Sequence, residues 1–442
     1  MGSRRAVLQA GLMIPLAAAC APDVLIGRSG VVRIAVSWSG TELAAFRDVL
    51  GSVAGSQPVE VIPLGDEIET AFAAGGTTAP DIVLLPRAGR VQDLAARGRV
   101  QVVPETLWAG EYPSYWRPLL THGNSLYGVP FKVTDKSMIW YDREAVAEYG
   151  LRPPEAWTLG YWVDEAMGKL AHTSRRLLAL AAADGWVLTD LFENILRSEN
   201  PGAYDQLAAA TPGARDWRTT GVPEAFWQFG KLCGDQRSFP GGVGASLTRQ
   251  FPDAVHEVFE RRRAVLVVGP DFAEPVVRRS ISRANRSPDV VGVADFPRVT
   301  AAEQQPHIIG GDVIVLTQGA GEAARTIAAR LAAPSAPLSW IRHHGGFLAA
   351  NTMTPPEYSS WLAPRAAALT ARGRVETTTT SPPTNTIAFD LSDRIGAVGG
   401  RNGLWRILTE FLVAVGEGGP TRVALATDHA IADLDDLERR QR

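Results

Sequence analysis

From residue 31 onward the chain alternates short apolar runs with amphipathic stretches, and this pattern predicts most of its architecture. Val31 to Val36 (VVRIAV) reads as a strand, Trp38-Ser39-Gly40 as a turn, and Thr41 as the cap of a helix ELAAFRDVLGSVAG. Pro58 to Pro63 (PVEVIP) is a second strand, Asp66 to Ala74 a helix, and Ala79 to Leu85 a third strand followed by a helix through Leu94. Strand, helix, strand, helix, strand at this spacing implies a parallel sheet with right-handed crossovers. Ligands of such sheets sit beyond the carboxyl ends of the strands, which puts Trp38 to Thr41, Gly65-Asp66 and Pro86-Arg87 at a cleft edge.

Ser125 to Leu151 (SLYGVPFKVTDKSMIWYDREAVAEYGL) is built differently. Pro130 fixes φ and pushes Val129 into the extended region, so no helix runs through it. Ser137 to Tyr141 is an aromatic-rich run of strand length, and Asp142 caps the amphipathic turn before Gly150. The stretch reads as an extended crossing between two lobes, then a strand and a helix. Val291 to Pro297 repeats this logic as a second crossing. Ala264 to Val268 and Gly310 to Leu316 are further strands, the latter closing lobe one.

Tyr127, Gly128, Pro130, Phe131, Tyr141, Gly150, Leu151, Pro153, Pro154, Trp157 and Thr158 together resemble the lobe-crossing pattern of family 1 extracellular solute-binding proteins, the receptors of carbohydrate ABC importers, with Asp142 where that family usually has Asn. Asp184 to Leu196 (DGWVLTDLFENIL) resembles a segment of its α-glucoside-type subgroup, as do Phe389-Asp390-Leu391-Ser392-Asp393 and Gly403-Leu404-Trp405. Ser339 to Asn351 matches the family's Trp and Gly-Gly-Phe segment, and the resemblance runs from about residue 31 to about residue 415. It implies an α/β, bilobal, periplasmic-binding-protein-like fold whose two lobes are joined by a multi-strand hinge. The expected partition is lobe one at residues 31–131 and 298–317 and lobe two at 132–297 and 318–442, with crossings near 131, 297 and 317.

Composition narrows the classes. With 442 residues, 45% hydrophobic and 21% charged, the chain has an ordinary globular composition with room for two lobes. Its net charge of −3 is interspersed, and Arg261 to Arg263 is too short a run to mark a polyanion site, so nucleic acid is excluded as the expected partner. Ser3-Arg4-Arg5-Ala6-Val7-Leu8-Gln9 resembles a twin-arginine export signal, and the apolar stretch that follows ends at Ala17-Ala18-Ala19-Cys20. Residues 1–19 are therefore expected to be removed as a signal peptide, Cys20 to carry a lipid, and residues 20–30 to form a tether. That places the mature chain outside the cytoplasmic membrane, on its outer face, as a monomer. Cys233 has no partner other than Cys20, so no disulfide framework is expected, and its place in a helical stretch makes it a small buried hydrophobe.

No catalytic signature stands out: there is no G-x-S-x-G, H-E-x-x-H or P-loop lysine, and His343-His344 lacks a third ligand at metal-binding spacing. No metal or organic cofactor is required. Sugar recognition needs flat aromatics for the CH face of a pyranose and planar polar groups for its hydroxyls. Twelve Trp supply the first, although most are expected in the core. The candidate binding residues are Trp38, Ser39, Asp66, Arg87, Asp135, Lys136, Trp186, Asp271, Asp312, Arg342, His344 and Asp390. Trp38 is a stacking ring or a core residue, Asp135 and Lys136 ligand contacts or a solvated bend, and Asp312 and Asp390 hydroxyl acceptors or caps. Several members of the family resembled here carry an acid after the third strand where this chain has Pro86-Arg87, which points to an acidic, amino-modified or otherwise atypical sugar. The expectation is a carbohydrate receptor that delivers its ligand to an ABC permease and is not an enzyme. The alternatives are a receptor for a polyol phosphate or peptide, with Arg87 and Arg342 as anion partners, and an exported carbohydrate-active enzyme.

Overall fold

A computed structural model describes residues 30–73, 79–108, 111–235, 238–375 and 387–441. The expected signal peptide, Cys20 and nearly all of the tether lie outside the described residues. The first three strands, β1 (Val32–Val36), β2 (Val59–Pro63) and β3 (Ile82–Leu85), form a parallel unit with β1 in the middle. Their sequences explain the order: IVLL of β3 is buried on both faces, whereas VEVIP of the edge strand β2 is half-exposed. Helix Gly40–Val53 (α1) connects β1 to β2 and buries Phe46, Val49, Leu50 and Val53. The helix expected from Asp66 is instead a 3₁₀ segment, Gly65–Phe72, interrupted at Glu67 (φ −87°, ψ 17°).

Two long strands complete this sheet. β4 (Val129–Asp135) runs antiparallel to β9 (Ile308–Leu316), which in turn pairs antiparallel with β3. Two short strands join them, β10 (Leu348–Ala349) beside β4 and β11 (Ala388–Phe389) beside the start of β9. The sheet order is therefore β10-β4-β9-β3-β1-β2. Gly311 is required here: its φ is +151°, a Cβ on it would lie 2.1 Å from the Lys132 carbonyl oxygen, and the register shifts in a bulge at Asp312/Val313.

The second sheet has the order β8-β5-β7-β6, from β5 (Met138–Asp142), β6 (Arg176–Leu178), β7 (Ala264–Val268) and β8 (Val291–Asp295). Only Lys136 and Ser137 separate β4 in one sheet from β5 in the other. Ser137 stitches the crossings together: its carbonyl accepts from Phe296 N at 2.9 Å and its hydroxyl from Ile308 N at 2.8 Å. As expected, the Asp142 carboxylate caps the next helix, Arg143–Glu148, accepting from Glu144 N and Ala145 N. Helices Gly185–Glu199 (α2), Val222–Cys233, Arg406–Gly418 and Val423–Arg439 pack together on the side of this second sheet. Cys233 is fully buried among them, and burial pushes its thiol far above the ordinary range.

Past residue 317 the chain remains with the first sheet: helices Glu322–Leu331 and Leu338–His343 pack on α1, and β10 pairs with β4. Helix Ala363–Val375 (α3) then lies across the crossings. Among the described residues no helix is long and apolar enough to cross a membrane.

Candidate functional site

A cleft of about 360 Å³ opens where the carboxyl ends of the first sheet face α2 and the loop after β7. The strand ends supply Trp38 after β1, Asp66 after β2 and Arg87 after β3, while β4 contributes Lys132 and β9 contributes Asp312. The opposite wall carries Trp186 and Asp190 from the start of α2 and Phe272 after β7, with Asp390, Asp393 and Trp405 from the C-terminal part. Three of the rings form one side. Trp186 packs on Phe251 and Phe272 with centroids 5.0 and 5.5 Å away, and Gly185 lies so close to Trp405 that a Cβ there would sit 2.8 Å from its ring.

Of the residues expected from sequence, Trp38, Asp66, Arg87, Lys136, Trp186, Asp312 and Asp390 line this cleft. Trp38 is nonetheless mostly in the core, within 5.0 Å of both Phe46 and Trp340. Asp66 forms an exposed ion pair with Arg401 at the rim. Asp271 sits just behind the wall, between lining residues Pro270 and Phe272, with Oδ1 accepting from Asp135 N at 2.9 Å. Asp135 points away, held by Arg365 behind the crossings. Ser39 is exposed at the start of α1. The structure does not bring Arg342 and His344 to the cleft: Arg342 pairs with Glu357 beside a different surface hollow, and His344 Nε2 meets Asp48 Oδ2 at 2.7 Å. Helix Leu338–His343, which carries Arg342 and precedes His344, packs on α1 instead.

Sequence reasoning missed Glu42, Lys132, Asp190, Phe272 and Trp405. For the two charged residues inside apolar runs a signal existed. Lys132 sits in the strand VPFKVTD and Asp190 in a helix whose residues 187–198 are all buried, and a buried charge must be paired.

Two buried lysines organise the charges. Lys132, 1% exposed, places Nζ 2.9 Å from Glu42 Oε1 and over the rings of Phe272 and Trp340 at 5.3 and 5.5 Å. Burial works against its charge, but Glu42, Asp271 and Asp312 outweigh it and hold the ammonium above its ordinary range. Lys136 Nζ lies 3.1 Å from Asp190 Oδ1 and also pairs with Asp390, and its proton is likewise held tightly. The acids outnumber these cations. Burial pushes Asp190 up to about 7 against the pull of Lys136, and Asp271 and Asp312 up to about 7 against the pull of Lys132. Oδ2 of Asp190 and Oδ2 of Asp271 are buried and have no hydrogen-bond partner among the described residues. Asp390 is different: its Oδ1 caps the turn that follows by accepting from Asp393 N at 3.1 Å. Chemically, the wall opposite the strand ends offers flat rings and, beside them, an under-used acceptor on Asp190.

A sequence model of the family described as bacterial extracellular solute-binding protein matches residues 51–232. The osmoprotective compounds-binding protein GgtB of Synechocystis sp. is 25% identical over 257 residues, covering 57% of this chain and 59% of that protein. The alpha-glucosides-binding periplasmic protein AglE of Rhizobium meliloti is 25% identical over 240 residues, covering 50% of this chain and 51% of its own length. The matches thus span little more than half the length of these curated relatives. The apo form of RafE from Streptococcus pneumoniae shares the fold with a TM-score of 0.66 at 14% identity, over 94% of this chain and 99% of that one. Residues 51–232 are thus similar to bacterial extracellular solute-binding proteins, and the chain as a whole shares the fold of RafE.

Proposed function

We propose that this protein is the substrate-binding receptor of an ABC importer, capturing a carbohydrate in the cleft between its two lobes and delivering it to membrane permease subunits. The observation that carries the reading is the placing of Trp186, Phe272 and Trp405 in one cleft with the Asp190 carboxylate, whose Oδ2 lacks a partner among the described residues. A pyranose has an apolar face for the rings and hydroxyl donors for the carboxylates, and each donor it supplies relieves a buried acceptor worth about 1–3 kcal/mol. The relative named for α-glucosides favours an oligosaccharide or α-glucoside-like sugar.

In this reading lobe one is built on β1 to β4 and β9 to β11, and lobe two on β5 to β8 and the helices packed beside them. The passage at Lys136-Ser137 serves as the hinge, and the closed state held by ligand is what the permease recognises. The N-terminal segment adds export and a lipid on Cys20, giving a membrane-tethered monomer on the outer face of the cytoplasmic membrane. The rival reading of an anionic ligand needs Arg87 and Arg342 to converge. Arg87 already faces Glu69 at 3.4 Å and Asp393 at 3.9 Å, and Arg342 is elsewhere.

Thermal unfolding of residues 21–442 against α-glucosides, maltodextrins, trehalose, amino sugars, phosphate esters and small peptides tests the proposal. A ligand at about one hundred times its Kd adds about 2.7 kcal/mol, seen as a shift of a few degrees. A shift with a sugar class is the expected result. A shift confined to phosphate esters or peptides contradicts the carbohydrate assignment, and glycan turnover by the purified protein contradicts the receptor role.

A further inference from the structure

Acidic side chains outnumber basic ones in the cleft. Six carboxylates line it, from Glu42, Asp66, Asp190, Asp312, Asp390 and Asp393, against the three cations Arg87, Lys132 and Lys136. Each of those cations already has a carboxylate partner: Glu69 and Asp393 for Arg87, Glu42 for Lys132, and Asp190 with Asp390 for Lys136. An anionic ligand therefore meets no cation that is not already engaged. Asp190 is the opposite case. It lines the cleft at 3% exposure, one oxygen is engaged by Lys136, and Oδ2 is buried without a partner among the described residues.

Resting on the carbohydrate reading above, we infer that the ligand carries a protonated amine, seated at the unmet Oδ2 of Asp190. An ammonium brings three donors and a charge, whereas a neutral hydroxyl brings one donor, and a charge-assisted bond is about twice as strong as a neutral one. The groups facing Asp190 are Lys136 from the end of β4, Asp390 and Asp393 after β11, and Glu193 on its own helix, with Arg87 from the β3 loop beside Asp393. In that setting burial raises Asp190 to about 7. Below that pH the empty cleft holds a proton there, and an incoming ammonium must displace it. The ligand's amine stays charged throughout this range, so the penalty falls on Asp190 alone and affinity for the amine drops as pH falls. A neutral sugar displaces no proton and escapes the penalty.

The test is calorimetric titration of residues 21–442 with trehalose and maltose and with derivatives in which one hydroxyl is replaced by an amine. At pH 7.5 at least one amino derivative should bind about tenfold more tightly than its parent, and that gain should shrink several-fold toward pH 5.5. Asp190→Asn should abolish the gain, and the pH profile of the wild-type protein decides the same question if that variant folds poorly. Neutral parents that bind as tightly as every amino derivative overturn the amine inference and leave the carbohydrate receptor standing. Absence of binding by all of these sugars, with binding of a phosphate ester instead, overturns both.

Discussion

Two networks of buried carboxylates and cations lie on opposite sides of the same crossing, and they are finished to different degrees. Behind it, Arg365 on α3 donates to Asp135 Oδ2 through Nε at 2.9 Å and Nη2 at 2.6 Å, and pairs with Asp295 as well. Asp135 Oδ1 accepts from Ser137 N at 3.1 Å, so both oxygens are satisfied. Asp135 ends β4 and Asp295 ends β8, and two turns further along α3 Arg372 meets His307 Nε2 at 2.9 Å, just before β9. One helix face thus braces three of the strands that border the crossings, β4, β8 and β9. In front, Asp190 and Asp271 each leave an oxygen unmet. A completed network fixes a scaffold, and an incomplete one in a cleft is a place for ligand donors.

The largest effect expected from this contrast is at the back. Arg365→Met strands Asp135 and Asp295 without their counter-charge, and urea unfolding should show a loss of about 3–5 kcal/mol. A loss below about 1 kcal/mol would break the distinction between the two networks. The front is read by pH. The folded-state values of Asp190, Asp271 and Asp312 are raised above that of an unfolded Asp, so the native state binds more protons between about pH 4 and pH 7. Stability should therefore fall as pH rises through that window, by up to about 1.4 kcal/mol per pH unit for each group. Denaturation at pH 5 and pH 7.5 checks the sign, and stability that rises over this interval would contradict the raised values.

Two smaller effects sharpen the ligand side. Trp186→Ala should weaken sugar binding by about 0.5–1.5 kcal/mol while leaving the unfolding transition cooperative, as titration and thermal melting together would show. Arg87→Ala should change sugar affinity by less than about 1 kcal/mol, because its partners are the partly exposed carboxylates Glu69 and Asp393. A large loss limited to acidic sugars would instead restore Arg87 as a direct ligand contact.

The order of the strands was legible because buried strands read as uninterrupted apolar runs bounded by Gly and Pro, as in APDIVLLP and RRRAVLVVGP. The rim was legible for the same reason: once β1 to β3 are parallel, the residues after them must share an edge, and Trp38, Asp66 and Arg87 do. What sequence did not carry was the choice of partner. Arg342 and His344 are captured by Glu357 and Asp48, and Asp135 by Arg365, 230 positions away. Such pairings depend on tertiary contacts that leave no local trace. Lys132 and Asp190 left a trace, since each is a charge inside an otherwise buried run and must be paired, but the run itself does not say with what.

If the unfinished network is the ligand site, Asp190→Asn removes the carboxylate at its centre. Calorimetric titration of wild type and variant with whichever sugar shifts unfolding should show affinity lower by about 10- to 100-fold in the variant, a loss of about 1.5–3 kcal/mol, with stability equal to or above wild type. Equal affinity in the two proteins would mean that Asp190 does not contact the ligand.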